Sequence, residues 1–225
     1  MLSIPQWYFD SLPQEGRGER FRTNDKLRSK VDTEGRFRLF CGETTVFELP
    51  EDVKLRLAEL QERLYNEAGD MLAHQRLSSE GMHMTLHSLW DMEEDIKLRD
   101  APYSHAQVRE ALDSIRRDFP HRIMMRSVCP LNMVNTSVVM GLVPASESDA
   151  RVLMEVCSRI SPLYPRSYGL TPHITLAYYR PGEYTEESWR RLKRVFVPEF
   201  FDFPIKTESL FFKSFTDMDS YRLIY

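Results

Sequence analysis

The sequence has few cysteines, and none of them lies in a metal-binding or disulfide pattern. Its 225 residues include only Cys41, Cys129 and Cys157, and no two of these are close in sequence. An odd number of cysteines without a Cys-x-x-Cys pair indicates neither a disulfide framework nor a zinc-finger site. We expect three small, buried, apolar residues in a reducing compartment.

Long apolar runs and an excess of positive charge are also missing. No stretch of 18 apolar residues occurs, and the N-terminal segment shows neither a basic leader nor a long apolar core. We therefore expect a cytoplasmic protein without a membrane partner. The formal net charge is −4, whereas proteins that bind extended double-stranded nucleic acid normally present a basic face. A small phosphorylated substrate or a single-stranded end remains compatible with this charge.

Sequence motifs of several common enzyme classes are absent as well. The chain contains no phosphate-binding glycine loop, no Gly-x-Ser-x-Gly elbow and no dinucleotide-binding fingerprint. Hydrophobic residues make up 42% of the chain and charged residues 28%, which is typical of a globular protein with a substantial core. The absence of these motifs excludes the enzyme classes that would otherwise compete most closely.

One short motif occurs twice, as His83-Met84-Thr85-Leu86 and as His173-Ile174-Thr175-Leu176, 90 residues apart. In an extended strand successive side chains point to opposite faces, so the histidine and the threonine of each copy share one face. A single copy would carry little weight, because a lone histidine in a strand is more often a packing residue. If the two strands lie side by side, two imidazoles and two hydroxyls converge on one cavity.

Such a group of side chains suits phosphoryl chemistry. A neutral imidazole can accept a proton from water while a protonated imidazole donates one to the leaving oxygen, and both forms are accessible near neutral pH. The hydroxyls can donate hydrogen bonds to phosphoryl oxygens, where negative charge builds up in the transition state. This chemistry requires no metal, so we predict neither a metal site nor a cofactor.

The order of predicted elements repeats along the chain. Strand 44–49, helix 51–68, motif strand 82–90 and helix 105–119 are followed by strand 134–143, helix 146–160, motif strand 171–179 and helix 185–197. We predict an α+β fold with two pseudo-symmetric lobes at approximately residues 37–128 and 134–225. Each lobe would be an antiparallel sheet with helices on its outer face, and the catalytic cleft would lie between the lobes.

The segments between these elements give further predictions. Residues 1–36 are rich in charge and have little apolar periodicity, so we predict an N-terminal arm that is either solvated or a mobile lid over a phosphate site. Residues 37–40 and 122–128 resemble short strands, and the residues from Cys129 to Asn132 form a turn or a bulge. The chain would close with a hairpin around residues 216–219.

Two motifs of this kind on strands of a duplicated α+β chain resemble the two-histidine (2H) phosphoesterase superfamily, which includes bacterial 2'-5' RNA ligase-like proteins and cyclic nucleotide phosphodiesterases. The pattern Asp32-x-x-Gly35, then Gly42-x-Thr-Thr-Val46, is similar to a subgroup labelled as a domain of unknown function. The resemblance covers residues 31–225. It implies that the two histidines are the acid/base pair and that Thr85 and Thr175 hold phosphoryl oxygens.

The resemblance implies a metal-independent phosphodiesterase that acts on a cyclic phosphate, such as a 2',3'-cyclic phosphate, or on a short oligonucleotide. Which histidine is the base and which the acid stays open, because this depends on the orientation of the substrate. Two alternatives remain: an RNA end ligase that uses the reverse reaction, and a module that binds nucleotides or RNA ends without turnover. The expected partner is a small nucleotide or an RNA end, and we expect a monomer.

Three further residues are candidates for substrate contact. By strand alternation His87 shares the face of His83, where support of the site or plain packing is favoured over metal binding, because the metalloprotease pattern requires a helix and a carboxylate. Tyr179 shares the face of His173, and Tyr168 lies in the preceding loop. Either tyrosine could stack on a nucleobase or cover the wall of the cleft.

Overall fold

The computed structural model describes residues 20–93, 98–119 and 122–225, which form ten strands, four α-helices and four short 3-10 helices. The strands are β1 Phe21–Arg22, β2 Gly42–Glu48, β3 His83–Asp91, β4 Arg122–Met133, β5 Ser137–Pro144, β6 His173–Tyr178, β7 Glu183–Tyr184, β8 Asp202–Lys206, β9 Leu210–Phe215 and β10 Tyr221–Leu223. The helices are α1 Glu51–Ala68, α2 His105–Asp118, α3 Glu147–Ile160 and α4 Glu186–Lys193. The 3-10 helices are Asp25–Ser29, Leu98–Asp100, Ser161–Leu163 and Thr207–Ser209.

Eight of these strands form one antiparallel sheet in the order β10-β9-β2-β3-β6-β5-β4-β8. The order contains two halves of four strands, and the halves meet where β3 pairs with β6. The α+β class is therefore confirmed. The two predicted lobes share one continuous sheet, because the two motif strands pair with each other directly.

The two halves of the sheet do not coincide with the two halves of the chain. Strand β4 follows α2 in sequence but pairs with β5 and β8, in the half that contains His173. The C-terminal hairpin β9–β10 pairs instead with β2, in the half that contains His83. Each sequence repeat thus contributes a strand or a hairpin to the half of the sheet that contains the other repeat's motif. The predicted boundaries at residues 37–128 and 134–225 therefore do not separate the two halves of the sheet.

Helix α1 shows why the predicted helices form. Its residues Leu57, Leu60 and Leu64 recur at spacings of three and four, and each has at most 1% of its surface exposed. Helix α3 begins after Ser146, whose hydroxyl accepts a hydrogen bond from the backbone N–H of Asp149 as an N-cap. These two helices match their predicted bounds to within a residue, whereas α4 ends four residues before the predicted end at residue 197.

Of two short predictions outside the helices, one is wrong and the other is confirmed. Residues 37–40 form no strand, and only an isolated bridge joins Val31 to Phe37. Residues 129–132 lie within β4, where a register shift between Ser127 and Pro130 confirms the bulge interpretation. The β4–β5 turn follows at Val134 and Asn135, both of which have positive φ angles.

Residues 20–36 are part of the main core, which corrects the prediction of an arm for this stretch. Phe21, Leu27 and Val31 belong to the largest hydrophobic cluster, and Leu27 and Val31 are completely buried. Strand β1 also pairs with β7. The apolar residues that anchor this segment are few and are separated by charged ones, so the sequence pattern concealed them. Residues 1–19 lie outside the described residues.

Alternate residues of each motif point to opposite faces of the sheet, and the two motifs do so in the same way. Met84, Leu86, Ile174 and Leu176 are at most 2% exposed and pack into the main core. The histidines and threonines between them point to the other face, where they are partly exposed. Among the described residues, no helix combines the length and the apolar character that crossing a membrane requires.

Candidate functional site

A cavity of about 140 Å³ lies on this second face of the sheet, where β3 meets β6. Both motifs contribute their histidine and threonine to its wall, so the structure brings together the four side chains that the sequence singled out. The remaining wall comes from the loop before β3, from the end of β6 and from the β9–β10 hairpin. The lining residues are Leu77, Gly81, Met82, His83, Thr85, His173, Thr175, Tyr178, Met218 and Tyr221.

The pairing of Met84 with Ile174 fixes the arrangement of the four side chains. In an antiparallel pair the residues on either side of this contact also oppose each other. His83 therefore lies across from Thr175, and His173 lies across from Thr85. The two imidazoles occupy one diagonal of the group and the two hydroxyls occupy the other.

Both imidazoles are held in the same way by the backbone two residues before them. The Nδ1 atom of His83 is 2.7 Å from the carbonyl oxygen of Gly81, and Nδ1 of His173 is 2.7 Å from the carbonyl oxygen of Thr171. A carbonyl oxygen only accepts hydrogen bonds, so each Nδ1 carries the proton and donates it. The neutral rings therefore keep their Nε2 lone pairs available for a proton.

The environment of both rings favours the neutral form. Burial lowers the pKa of His83 to about 4; the bond to the Gly81 carbonyl opposes this shift, and the charges of Lys213 and His173 reinforce it. Burial likewise lowers the pKa of His173, again opposed by its carbonyl bond. At neutral pH the two imidazoles of the free protein are bases. A bound phosphate would favour protonation of either ring by its negative charge.

The surroundings of His83 include an ion pair. Glu48 is the partner of His83 across the β2–β3 ladder, and the Lys213 ammonium donates a hydrogen bond of 2.6 Å to the Glu48 carboxylate. Burial raises the pKa of the Tyr221 phenol well above its ordinary value, and this ring contacts the His83 ring edge to face at 4.7 Å. The pKa of His173, in contrast, is shifted by burial and by its carbonyl bond, without a contribution from a charged pair such as Lys213 and Glu48.

A bulge after each threonine changes which later residues reach the cavity. In β3, His87 pairs with Thr45 and Thr85 pairs with Val46, so Leu86 between them is an extra residue. In β6, the register with β5 shifts in the same way around Leu176. An extra residue reverses the alternation of side chains beyond it.

This reversal corrects the predictions for Tyr179 and His87. Tyr178 lines the cavity, whereas Tyr179 is completely buried in the core, with its ring 4.9 Å from that of Phe21. His87 is 9% exposed, and its Nε2 donates a hydrogen bond of 2.7 Å to the carbonyl oxygen of Tyr164. The structure therefore gives His87 the packing role that the sequence left open.

Tyr168 lies outside the cavity, in a separate open groove of about 530 Å³. Its side chain is among the exposed large apolar groups, with 66% of its surface accessible. Lys26 from the N-terminal segment lines the same groove. Arg166 supports the floor by donating hydrogen bonds to the Ser88 hydroxyl and to the carbonyl oxygens of Ser88 and Leu89. The remaining lining residues are Pro102, Tyr164, Pro165 and Ser167.

Sequence reasoning missed Tyr178, Met218, Tyr221 and the Lys213–Glu48 pair. Tyr178 could have been found only by placing the bulge, and the repeated His-x-Thr-Leu does not itself show that the leucine is the extra residue. The other residues come from β2 and the C-terminal hairpin, whose position depends on the exchange of strands between the two repeats. Among the described residues, no group of three or more His, Cys, Asp or Glu side chains is arranged to hold a metal ion.

Comparisons with known proteins identify the fold. No protein-family model and no curated protein matches the sequence. Among solved structures, a conserved protein of unknown function, ATU0111 from Agrobacterium tumefaciens, is similar, with a TM-score of 0.60 and 16% identity over 91% of this chain and 93% of that one.

Two further solved structures support the assignment of the fold. TT0787 of Thermus thermophilus matches with a TM-score of 0.54 and 13% identity, over 82% of this chain and 95% of that one. LigT of E. coli, in apo form, matches with a TM-score of 0.51 and 12% identity, over 84% and 96%. These three likenesses show that the chain has the LigT-like fold.

Proposed function

We propose that this protein is a metal-independent phosphodiesterase that hydrolyses a 2',3'-cyclic phosphate at the end of a short oligonucleotide. The observation that carries the proposal is the matched hydrogen bonding of His83 and His173. Each ring donates its Nδ1 proton to a carbonyl oxygen and keeps Nε2 for proton transfer, beside a threonine hydroxyl of the opposite strand. Two proton-transfer groups across one cavity are what hydrolysis of a phosphodiester requires.

In the proposed reaction, His83 is the general base. It is neutral at neutral pH, and its pKa is lowered by burial and by the nearby Lys213 charge. It accepts a proton from water, whose oxygen forms a bond to phosphorus. His173, protonated beside the anionic substrate, donates its proton to the ribose oxygen as the bond from that oxygen to phosphorus breaks. The product is a phosphomonoester with a free ribose hydroxyl.

The two threonines are proposed to hold the non-bridging phosphoryl oxygens. Each hydroxyl lies across from the histidine of the other strand, so a phosphate between the imidazoles would be within reach of both. Hydroxyl donors that are fixed before the reaction stabilise the charge that develops on these oxygens. Because the pairs are symmetric, either side of the phosphate meets one hydroxyl and one imidazole.

The groove at Tyr168 supports an oligonucleotide rather than a mononucleotide substrate. Its exposed ring offers a surface on which a base can stack, and Lys26 offers positive charge for a backbone phosphate. Tyr168 is five residues before His173, so the two lie within about 17 Å along the chain. Nucleotide binding also agrees with the structure of E. coli LigT in complex with 3'-AMP, which matches with a TM-score of 0.50 and 13% identity, over 82% of this chain and 94% of that one.

The direct test is hydrolysis of a panel that contains 2',3'-cyclic mononucleotides, short RNAs ending in a 2',3'-cyclic phosphate, and 2'-5' and 3'-5' dinucleotides, with and without EDTA. We expect phosphomonoester products at equal rates in both conditions. Binding without turnover would favour the non-catalytic module. Joining of a cyclic phosphate end to a 5'-hydroxyl RNA end without hydrolysis would favour the ligase, and loss of turnover in EDTA would contradict metal independence.

A further inference from the structure

We propose that Asp219, in the turn between β9 and β10, is a positioning residue that holds His83 in its reactive tautomer. A relay of hydrogen bonds leads from its carboxylate to the imidazole. The Asp219 Oδ1 atom accepts a hydrogen bond from the backbone N–H of Ser78 at 2.8 Å and another from the Ser78 hydroxyl at 2.9 Å. The kinetic part of this inference rests on the proposed function, whereas its structural part does not.

The relay continues through Gly81. The backbone N–H of Gly81 is shared between the hydroxyl and the carbonyl oxygen of Ser78, each at 3.2 Å. The Gly81 carbonyl oxygen accepts the Nδ1 proton of His83 at 2.7 Å. The position of this carbonyl decides which nitrogen of His83 carries the proton. Asp219 therefore fixes the loop whose backbone selects the tautomer.

Close packing supports the hydrogen bonds. A Cβ atom added to Gly81 would lie 3.0 Å from the Ser78 hydroxyl oxygen and 3.1 Å from the Asp219 Oδ1 atom, so the carboxylate packs directly against the glycine. The same turn carries Tyr221, whose ring contacts that of His83. The backbone N–H of Asp219 donates to the Asp217 carboxylate at 2.8 Å, which stabilises the turn itself. The hairpin thus holds His83 from two sides.

The corresponding loop at His173 is held differently. Its Thr171 carbonyl accepts the Nδ1 proton, and the next residue, Pro172, accepts a hydrogen bond of 3.1 Å from the backbone N–H of Leu142 in β5. No carboxylate takes part in these two bonds. His173 is therefore an internal control for any change at Asp219.

The test compares Asp219→Ala with Asp219→Asn by nitrogen NMR of ¹⁵N-histidine-labelled full-length protein at neutral pH. The Asn Oδ1 atom can accept both hydrogen bonds from Ser78, so this variant serves as the matched control. In Asp219→Ala we expect the His83 signals to move from the Nδ1-protonated form toward a mixture of tautomers. The His173 signals should stay unchanged, and Asp219→Asn should resemble the wild type.

A kinetic readout complements the spectrum. Loss of a group that orients a metal-binding histidine typically lowers activity about 10–100-fold. By analogy, kcat of Asp219→Ala should fall about tenfold with little change in KM. Ser78→Ala removes the hydroxyl from the relay but keeps its two backbone hydrogen bonds. It should give a smaller change of the same kind, and it provides a second variant if Asp219→Ala does not fold. An unchanged His83 tautomer in a folded Asp219→Ala or Ser78→Ala protein would overturn the proposal, whether or not a substrate has been found.

Discussion

Met84 pairs with Ile174 at the point where the two halves of the sheet meet, and both side chains are completely buried. Because neighbouring side chains in a strand point to opposite faces, this one buried contact sets the positions of the histidine and threonine on either side of each apolar residue. The core on one face of the sheet thereby determines the site on the other. A shift of one residue in the register between β3 and β6 would turn the imidazoles toward the core, so the four side chains would no longer share a cavity.

The threonine hydroxyls should contribute to the reaction rather than to the fold. We expect Thr85→Val and Thr175→Val each to lower kcat about 100-fold, because each removes a donor to the phosphoryl oxygens while nearly preserving the shape of the side chain. Thr85→Ser and Thr175→Ser keep the hydroxyl and should retain most of the activity. Steady-state hydrolysis of the best substrate in the panel checks this, and a valine variant with wild-type kcat would remove its threonine from the mechanism.

The pH dependence should follow the two lowered histidine pKa values. The active form has His83 neutral and His173 protonated, so kcat/KM should fall below about pH 4, where His83 becomes protonated. It should also fall as the pH rises through the pKa of His173, which burial places below 6.5. The profile of kcat/KM should therefore peak between these values, and NMR titration of both rings should give the same two limits. An optimum above pH 6.5 would contradict the assignment.

The groove at Tyr168 should affect long substrates selectively. Stacking of a base on an aromatic ring contributes about 1–3 kcal/mol, so Tyr168→Ala should raise KM for a trinucleotide with a cyclic phosphate end about tenfold. Hydrolysis of a cyclic mononucleotide should not change. Tyr168→Phe keeps the ring and is the control. An unchanged KM for the trinucleotide in Tyr168→Ala would place Tyr168 outside the binding site while leaving the phosphodiesterase proposal intact.

The N-terminal segment should contribute to stability. Leu27 is completely buried in the main core, so Leu27→Ala should lower the free energy of unfolding by about 2–5 kcal/mol. Leu39 is 70% exposed, and Leu39→Ala should change this free energy by only about 0.5 kcal/mol. Urea denaturation of both variants measures the difference. Similar unfolding curves would mean that residues 20–36 do not belong to the core in solution.

The sequence was sufficient to predict the elements that carry a strong local pattern. Helix α1 has apolar residues at regular spacing, and the two motif strands have matching contexts, so their type and their role in one cavity could be predicted. The positions of Tyr178 and Tyr179 could not, because one extra residue at Leu176 reverses the alternation and only the pairing with β5 shows it. The position of His87 could not be predicted for the same reason, because His87 lies beyond the bulge at Leu86. The exchange of strands between the two repeats could not be predicted either, because it depends on contacts between distant parts of the chain.

The central claim is that His83 and His173 form one acid/base pair, and single substitutions test it most directly. Hydrolysis of the best cyclic phosphate substrate should be measured in EDTA for His83→Ala and His173→Ala, with His74→Ala as the control, since His74 is exposed and outside the cavity. We predict that each of the first two variants loses about 100-fold or more in kcat, while His74→Ala retains wild-type activity. Wild-type turnover in either His83→Ala or His173→Ala would contradict the account.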